Sequence, residues 1–129
     1  MAPVRVTYRD TDRMGYTYHS QYLVWFEMGR TELLRAQGTT YRQWEDDHGV
    51  YLPVRECSVR YVTPARYDDL VVVTTQIVRL TRASIAFDYT AVRQEDGSVL
   101  ATGQTVHAFV DDTGRVLRVA DRLLPHLFL

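Results

Sequence analysis

From Val54 onward the chain consists almost entirely of segments that favour β-structure. Four runs are rich in valine, tyrosine, threonine and phenylalanine, the residue types that strands prefer. They occupy roughly Val54 to Val62, Leu70 to Leu80, Ser84 to Arg93 and Leu100 to Val110. Short turn-forming stretches separate the runs, at Pro64-Ala65-Arg66, Thr81-Arg82 and Asp96-Gly97. Turns as short as these, and the Asp-Gly hairpin signal above all, predict an antiparallel meander.

The first half of the chain contains one long helical pattern. Ser20 is suited to cap its N-terminus, and Gly38 supplies a natural C-terminal stop. Between them apolar and small residues recur at helical spacing, at Tyr22, Phe26, Gly29, Leu33 and Ala36, with Trp25 and Met28 widening the stripe. A helix that is apolar over so much of its girth is expected to be enclosed, and a sheet curled around it is the economical arrangement.

Two shorter elements complete the pattern. Val4 to Tyr8 alternates like a strand and must reach the same sheet by way of the long helix. Thr40 to Gln43 reads as a capping box that opens a short helix through His48, which Gly49 ends. We therefore expect an α+β fold in which a five-stranded antiparallel sheet wraps around one long helix.

Length and composition limit the function classes. The 129 residues, 46% of them hydrophobic, suit one compact domain, so we expect residues 1–129 to form one. A net charge of -1 gives no general reason to bind nucleic acid or an anionic membrane. No apolar run approaches the ~20 residues of a membrane span. We expect a soluble, cytoplasmic protein whose apolar tail, Asp121 to Leu129, docks on the body or on a neighbour.

Turn-forming residues from Asp10 to Gly15 place an acidic loop between the first strand and the long helix. The helix start offers unpaired N–H groups with partial positive charge, and the loop offers carboxylates beside it. Such a pair suits acyl chemistry, because a carboxylate can attack an acyl carbon or draw a proton from water while the N–H groups hold the oxyanion. An aspartate near a helix start is more often a cap or turn former, so the pattern alone leaves both readings open.

The residues of this region also carry a family resemblance. The matching positions are Val4 to Asp12, Gly15, Tyr18-His19, Tyr22-Leu23, Phe26-Glu27, Arg30 to Glu32, Val59 to Tyr61, Pro64 to Arg66, Asp68-Asp69 and Ser84. This pattern resembles the 4-hydroxybenzoyl-CoA thioesterase family, and within it the Tol-Pal-associated acyl-CoA thioesterase branch. The resemblance implies the hotdog fold, with homodimers that pair edge to edge and often assemble into tetramers as dimers of dimers.

The resemblance also assigns roles. Carried over by position, the catalytic aspartate is Asp12 and the backbone N–H that polarises the thioester carbonyl is that of His19, with Asp10 as a supporting residue. The His19 side chain either orients Asp12 and steadies the leaving group or serves as a polar cap. The implied reaction is hydrolysis of a short- to medium-chain or aromatic acyl-CoA to the free acid and coenzyme A. No cofactor is required, and an acyl carrier protein is a possible alternative carrier.

Coenzyme A carries phosphates that need a few guanidinium groups at the pocket mouth. Arg60 and Arg66 flank the Pro64 turn, and Arg79 and Arg82 lie near another, which the resemblance favours. Each of these arginines also reads as a solvated turn residue. The expected substrate-binding positions are therefore Gly15, Tyr18, Arg60, Arg66, Arg79, Arg82 and Ser84.

The remaining chemical residues favour structural readings. Glu27 and Arg30 are most simply an i,i+3 pair on the helix, and Cys57 is a small buried hydrophobe. The histidines show no metal-site spacing, so no metal is expected. Two rival functions stay open: a hotdog enoyl-CoA hydratase or dehydratase that uses His19 and Glu32, and a module that binds an acyl group without turnover, against which Asp12 argues.

Overall fold

The computed structural model describes residues 2–118. In chain order the elements are β1 (Ala2–Arg5), α1 (Gln21–Ala36), α2 (Tyr41–His48), β2 (Val54–Tyr61), β3 (Leu70–Leu80), β4 (Ser84–Arg93) and β5 (Val99–Ala108). All pairings in the five-stranded sheet are antiparallel, which confirms the predicted α+β class. The tail from Asp121 to Leu129, with its predicted docking, lies outside the described residues.

The predicted four-strand meander is wrong at its first connection. The sheet order is β1-β3-β4-β5-β2, so β3, β4 and β5 do form hairpins, but β2 pairs with β5 at the far edge. The segment around Pro64 is therefore a crossover rather than a hairpin turn. The N–H of Val62 donates to Leu100 and that of Asp68 to Val6, so the crossover is bonded at both ends. The crossover consists of the eight residues 62–69. Fully extended, it reaches roughly 26 Å, which is enough to pass three strand spacings of about 4.8 Å each.

Helix α1 lies across one face of the sheet, and two glycines allow a close approach. The ring of Phe26 stacks on that of Tyr89, with centroids 4.5 Å apart. A Cβ on Gly29 would lie 2.6 Å from Thr75 Oγ1, and one on Gly103 would overlap the ring of Phe26. Each larger residue would thus push the helix away from the sheet, so the glycines set the depth at which the core packs.

The sheet covers only one side of α1. Val24 and Met28, on the other side, are 47% and 42% exposed. The expectation of an enclosed helix is therefore wrong for the single chain, because one sheet curls around about half of the helix. Cys57 was expected to be buried and is exposed, since β2 is an edge strand.

The helix ends agree with the sequence signals only in part. Ser20 occupies the N-cap position of α1, but its side chain makes no capping hydrogen bond. In α2 the Thr40 hydroxyl accepts from the N–H of Gln43 at 3.1 Å, and Gly49, with φ of 63°, ends the helix. Neither helix has the length and apolar character needed to cross a membrane, and residues 2–118 contain no other candidate.

Candidate active site

A tight loop between β1 and α1 holds Asp12. The loop closes through hydrogen bonds from Asp12 N–H to Tyr16 C=O (2.8 Å) and from Gly15 N–H to Asp12 C=O (3.0 Å). Gly15 adopts φ of 79°, a conformation that glycine reaches without strain. The Asp12 side chain joins the same turn, because its Oδ1 accepts from the N–H groups of Met14 (2.8 Å) and Tyr16 (3.2 Å). The loop thus fixes the orientation of the carboxylate.

The second carboxylate oxygen of Asp12 has a different environment. Oδ2 makes no hydrogen bond within residues 2–118, and the side chain is exposed. Asp12 lines a cavity of about 400 Å³ together with Tyr16, Thr17, Tyr18, His19, Tyr22, Tyr61, Val62, Thr63 and Pro64. One oxygen therefore holds the loop while the other is available to a ligand in the cavity.

His19 brings the start of α1 to the same cavity. Its backbone N–H has no hydrogen-bond partner in the part of the chain that the structure describes, while its C=O accepts from the Tyr61 hydroxyl at 2.8 Å. An unpaired N–H at a helix start carries partial positive charge and can stabilise an oxyanion. The two residues predicted to be catalytic, Asp12 and His19, are thus in the wall of one cavity.

Ala65, in the crossover from β2 to β3, holds the Asp12 loop and the start of α1 together. Its C=O accepts from Thr17 N–H at 2.8 Å, next to the Asp12 loop. Its N–H donates to the Tyr22 hydroxyl at 3.3 Å, on the first turn of α1. Burial raises the pKa of Tyr22, which keeps that hydroxyl neutral. A single buried residue therefore ties the loop to the helix start.

Arg93 anchors the crossover to the sheet. Its guanidinium donates to Asp69 Oδ2 at 3.0 Å and to Pro64 C=O at 2.9 Å. The pKa of Arg93 is raised, and the hydrogen bond to Asp69 is the largest cause. Asp10 holds the backbone of a cavity residue, because its C=O accepts from Tyr18 N–H at 2.7 Å.

Three of the predicted substrate-binding residues lie at or beside the cavity. Gly15 forms the loop itself, and Tyr18 lines the cavity with its ring 4.3 Å from that of His19. The Arg66 guanidinium lies over the Tyr16 ring, 4.9 Å from its centroid, in a cation–π contact. Arg66 thus holds a positive charge at the edge of the cavity.

The other four predicted substrate-binding residues lie elsewhere in the chain. Arg60 borders a groove with Thr74 and Asp88. Because side chains alternate along a strand and its neighbour Tyr61 contacts α1, this groove is on the opposite face of the sheet. Arg79, Arg82 and Ser84 are at the β3–β4 turn, and β3 spans roughly 33 Å between that turn and the cavity end of the sheet. The single chain does not bring these four residues to Asp12.

Tyr61 is a site residue that was not predicted from the sequence. Its hydroxyl fixes the backbone of His19, and its ring packs edge-on against Tyr22 with centroids 5.1 Å apart. The only signal was its position in the Val59 to Tyr61 segment that carries the family resemblance. The contact with His19 spans 42 residues and depends on the sheet order, which local patterns do not reveal.

The helix residues considered for other chemistry are arranged differently from the prediction. Glu27 and Arg30 form no ion pair, because the Arg30 guanidinium turns inward and donates to the Tyr89 hydroxyl at 3.4 Å. Glu32 pairs with Arg35 instead. It lies about 20 Å along the helix from His19, so the acid–base pair of a hydratase is not brought together.

Comparison with known proteins gives a consistent result. Residues 6–127 match the family model of the thioesterase-like superfamily. Acyl-CoA thioesterase YbgC of Haemophilus influenzae is 33% identical over 118 residues, which cover 92% of this chain and 85% of the relative. The solved structure of hypothetical protein TT1821 from Thermus thermophilus superposes with a TM-score of 0.89 at 32% identity, over 98% and 95% of the two chains. The structure of the DHNA-CoA thioesterase from Staphylococcus aureus superposes with a TM-score of 0.88 at 29% identity. The match covers 96% of this chain and 82% of that structure.

Proposed function

Because the chain belongs to the thioesterase-like superfamily and has its hotdog fold, we propose that it hydrolyses an acyl-CoA thioester to a free acid and coenzyme A. The names of its relatives support this activity, since the YbgC protein of Haemophilus influenzae is an acyl-CoA thioesterase. The observation that carries the proposal is the cavity lined by both Asp12 and His19.

In the proposed reaction Asp12 Oδ2 takes a proton from water, whose oxygen forms a bond to the acyl carbon. The carbonyl oxygen becomes an oxyanion that accepts a hydrogen bond from His19 N–H. The tetrahedral intermediate then collapses, the C–S bond breaks, and the thiolate of coenzyme A takes up the proton from Asp12. A positioned base contributes about 10² to 10⁴ in rate and one oxyanion donor about 10² to 10³.

An alternative first step on the same residues is attack of Oδ2 itself on the acyl carbon, which expels the thiolate and leaves a mixed anhydride for water to hydrolyse. A single turnover in ¹⁸O-labelled water tests for the anhydride. Label in the Asp12 carboxylate identifies an anhydride that water opens at the Asp12 carbon, whereas label confined to the product acid shows that water attacks the acyl carbon, as general-base catalysis requires.

Replacing Asp12 tests the assignment. In Asp12→Asn the amide oxygen can still accept from Met14 and Tyr16, so the loop should keep its shape while the base is lost. We expect kcat to fall by about 10² to 10⁴ with acyl-CoA binding retained. Asp112→Asn, which neutralises an exposed aspartate in another loop, is the matched control. Unchanged turnover in Asp12→Asn contradicts the proposed role, and a wild type that binds acyl-CoA without turnover supports a binding module instead.

The acyl group is the finer part of the proposal. Four tyrosines border the cavity, at Tyr16, Tyr18, Tyr22 and Tyr61. Aromatic walls and a volume of about 400 Å³ suit an aromatic or a short- to medium-chain acyl group. Measuring kcat/KM over a panel of acyl-CoA thioesters and acylated carrier protein tests both the acyl group and the carrier.

We also propose that two copies of the chain form the complete site. Strand β2 is a sheet edge with one side of its backbone unpaired, and Tyr61 at its end borders the cavity. Antiparallel pairing of β2 with β2 of a second copy reverses the partner sheet end for end. The turn with Arg79 and Arg82 of one copy then lies at the end where the other holds Asp12. Its guanidinium groups are suited to the phosphates of coenzyme A.

A further inference from the structure

Arg30 is a buried cation for which the described residues 2–118 provide no counterion. Arg30 is 9% exposed, and its guanidinium forms no ion pair within residues 2–118. The Nε atom is buried without a hydrogen-bond partner. A buried charge is costly unless an opposite charge and hydrogen bonds compensate it. Some further group is therefore needed to balance Arg30.

The interior side chains among the described residues do not supply that group. Burial lowers the pKa of His107 to about 4, so the ring is neutral. Because Leu52 C=O can only accept, His107 Nδ1–H donates to it (3.0 Å), and Nε2 accepts from the Thr105 hydroxyl (2.8 Å). The Tyr89 hydroxyl then donates to Thr105 (2.5 Å) and accepts from Arg30. Every proton in this chain of hydrogen bonds is assigned, and no member is an anion.

An acidic residue, Glu27, does line the same solvent-exposed cavity as Arg30. Arg30 and Thr105 border a cavity of about 410 Å³ whose other lining residues are Leu23, Val24, Glu27, Val54 and Cys57. Glu27 is exposed and makes no hydrogen bond or ion pair among the described residues. Val24 and Val54 beside it are 47% and 49% exposed. We call the seven lining residues the α1–β2 face.

The α1–β2 face and the Asp12 cavity are separate cavities that both lie along the groove between α1 and β2. Tyr22 and Tyr61 border the groove at one end, and Arg30 and Val54 border it at the other. Tyr22 and Arg30 are about 12 Å apart along α1. A surface with exposed apolar side chains next to a site is typical of a protein interface.

We propose that, in the pair of copies joined along β2, Glu27 of each copy forms an ion pair with Arg30 of the other across the α1–β2 face. In a twofold interface residue i contacts j and j contacts i, so a patch with one unpaired acid and one unpaired guanidinium is self-complementary. The inference rests on the proposed two-copy site and names the contact that holds it together. It also supplies a counterion for Arg30.

Self-association of variants tests this pair. Dimer dissociation constants are measured by sedimentation for wild type, Glu27→Gln and Glu32→Gln. Glu32 is the matched control, because it is on the same helix and already pairs with Arg35 of its own chain. We expect Glu27→Gln to weaken the dimer by about 30-fold or more, and Glu32→Gln to leave it unchanged. Equal dissociation constants for Glu27→Gln and wild type overturn the proposal.

A charge exchange adds a second test. Glu27→Arg places two guanidinium groups together and should abolish dimers, while Glu27→Arg/Arg30→Glu should restore them. A folded double variant that stays monomeric overturns the pairing. Where Arg30→Glu prevents folding, the Glu27→Gln comparison decides alone, because Glu27 is exposed and its replacement does not disturb the core.

The only cysteine of the chain reports what covers the face. Cys57 lines it, so alkylation of Cys57 by iodoacetamide should slow as the concentration of wild-type protein rises, and should remain fast in Glu27→Arg. Protection of Cys57 that is equally strong in monomeric Glu27→Arg identifies the chain's own tail as the occupant and overturns the proposal. Hydrolysis is followed in parallel. A Glu27→Gln enzyme that dimerises and turns over like wild type rejects the ion pair alone, whereas wild type that dimerises without hydrolysis rejects the function.

Discussion

At the scale of single residues, the two oxygens of Asp12 are in different environments. Oδ1 accepts two loop N–H groups, and Oδ2 makes no hydrogen bond within residues 2–118. The turn-forming reading of this residue is therefore confirmed, and it does not compete with the proposed catalytic role. The sequence alone could locate Asp12, since the loop and the helix start are neighbours along the chain. It could not reveal how its oxygens are used.

Tyr61 is expected to position the oxyanion donor. Tyr61→Phe removes the hydrogen bond to His19 C=O but keeps the ring contact with Tyr22. Since such a bond is worth about 1 kcal/mol net, we expect kcat to fall by about fivefold with little change in KM. Tyr67→Phe is the control, because Tyr67 is 58% exposed and its ring packs edge-on against the ring of Tyr8. An equal change in both variants would argue against a positioning role.

His107 should make the free energy of unfolding sensitive to acid. Its pKa is lowered to about 4 in the fold and is near 6.5 when unfolded, so between these values the unfolded chain binds more protons. The contribution is fully present above pH 6.5 and is lost as the pH falls toward 4, by about 3 kcal/mol in all. The free energy of unfolding is measured by urea unfolding at several pH values. It should fall less steeply with decreasing pH for His107→Gln than for wild type. His19→Gln, at an exposed histidine, should show the same pH dependence as wild type.

At the scale of elements, local signals were sufficient where turns bound a segment on both sides. Strands β3 and β4 have the predicted limits, Leu70 to Leu80 and Ser84 to Arg93, because Thr81 and neighbouring turn formers separate them. The place of β2 was not predictable in this way. A strand pattern shows that a segment joins a sheet, but the identity of its neighbour depends on contacts far away in sequence.

Gly29 should be required for the packing of α1 on the sheet. A Cβ at this position would meet Thr75 Oγ1 at 2.6 Å and Val73 Cγ1 at 2.8 Å. Gly29→Ala gains helix propensity, but the overlap should dominate and destabilise the chain by about 1 to 3 kcal/mol. Thermal or urea unfolding measures the change. Gly29→Ala/Thr75→Ala should recover part of the loss, whereas a stabilised Gly29→Ala would show that the helix moves freely.

At the scale of the whole molecule, the proposed site residues divide between two ends of the sheet. Asp12, His19 and Arg66 are at one end, while Arg79 and Arg82 are at the other. Both groups of residues were predicted from the sequence. The distance of about 33 Å between them, which is the length of β3, is known only from the fold. Two copies are the proposed solution to this separation.

Mixing inactive variants tests that solution. Asp12→Asn alone lacks the base, and Arg79→Ala/Arg82→Ala alone should bind coenzyme A weakly. In a mixed dimer, one site combines the intact Asp12 of one copy with the intact arginines of the other. Random mixing should therefore restore activity to about a quarter of wild type, because half the dimers are mixed and each has one whole site. If Asp12 works with the arginines of its own chain, mixing restores nothing.

The crossover between β2 and β3 has a consequence for the order in which the molecule forms. It is bonded at one end to β5 and at the other beside β1, and Ala65 in its middle ties the Asp12 loop to α1. Contacts between segments so distant in sequence are made late, since they wait for the intervening chain to close. A nascent chain that ends before β5 has the residues of the cavity but not their geometry. Thioester hydrolysis would then begin only after β5 has been synthesised and has joined the sheet.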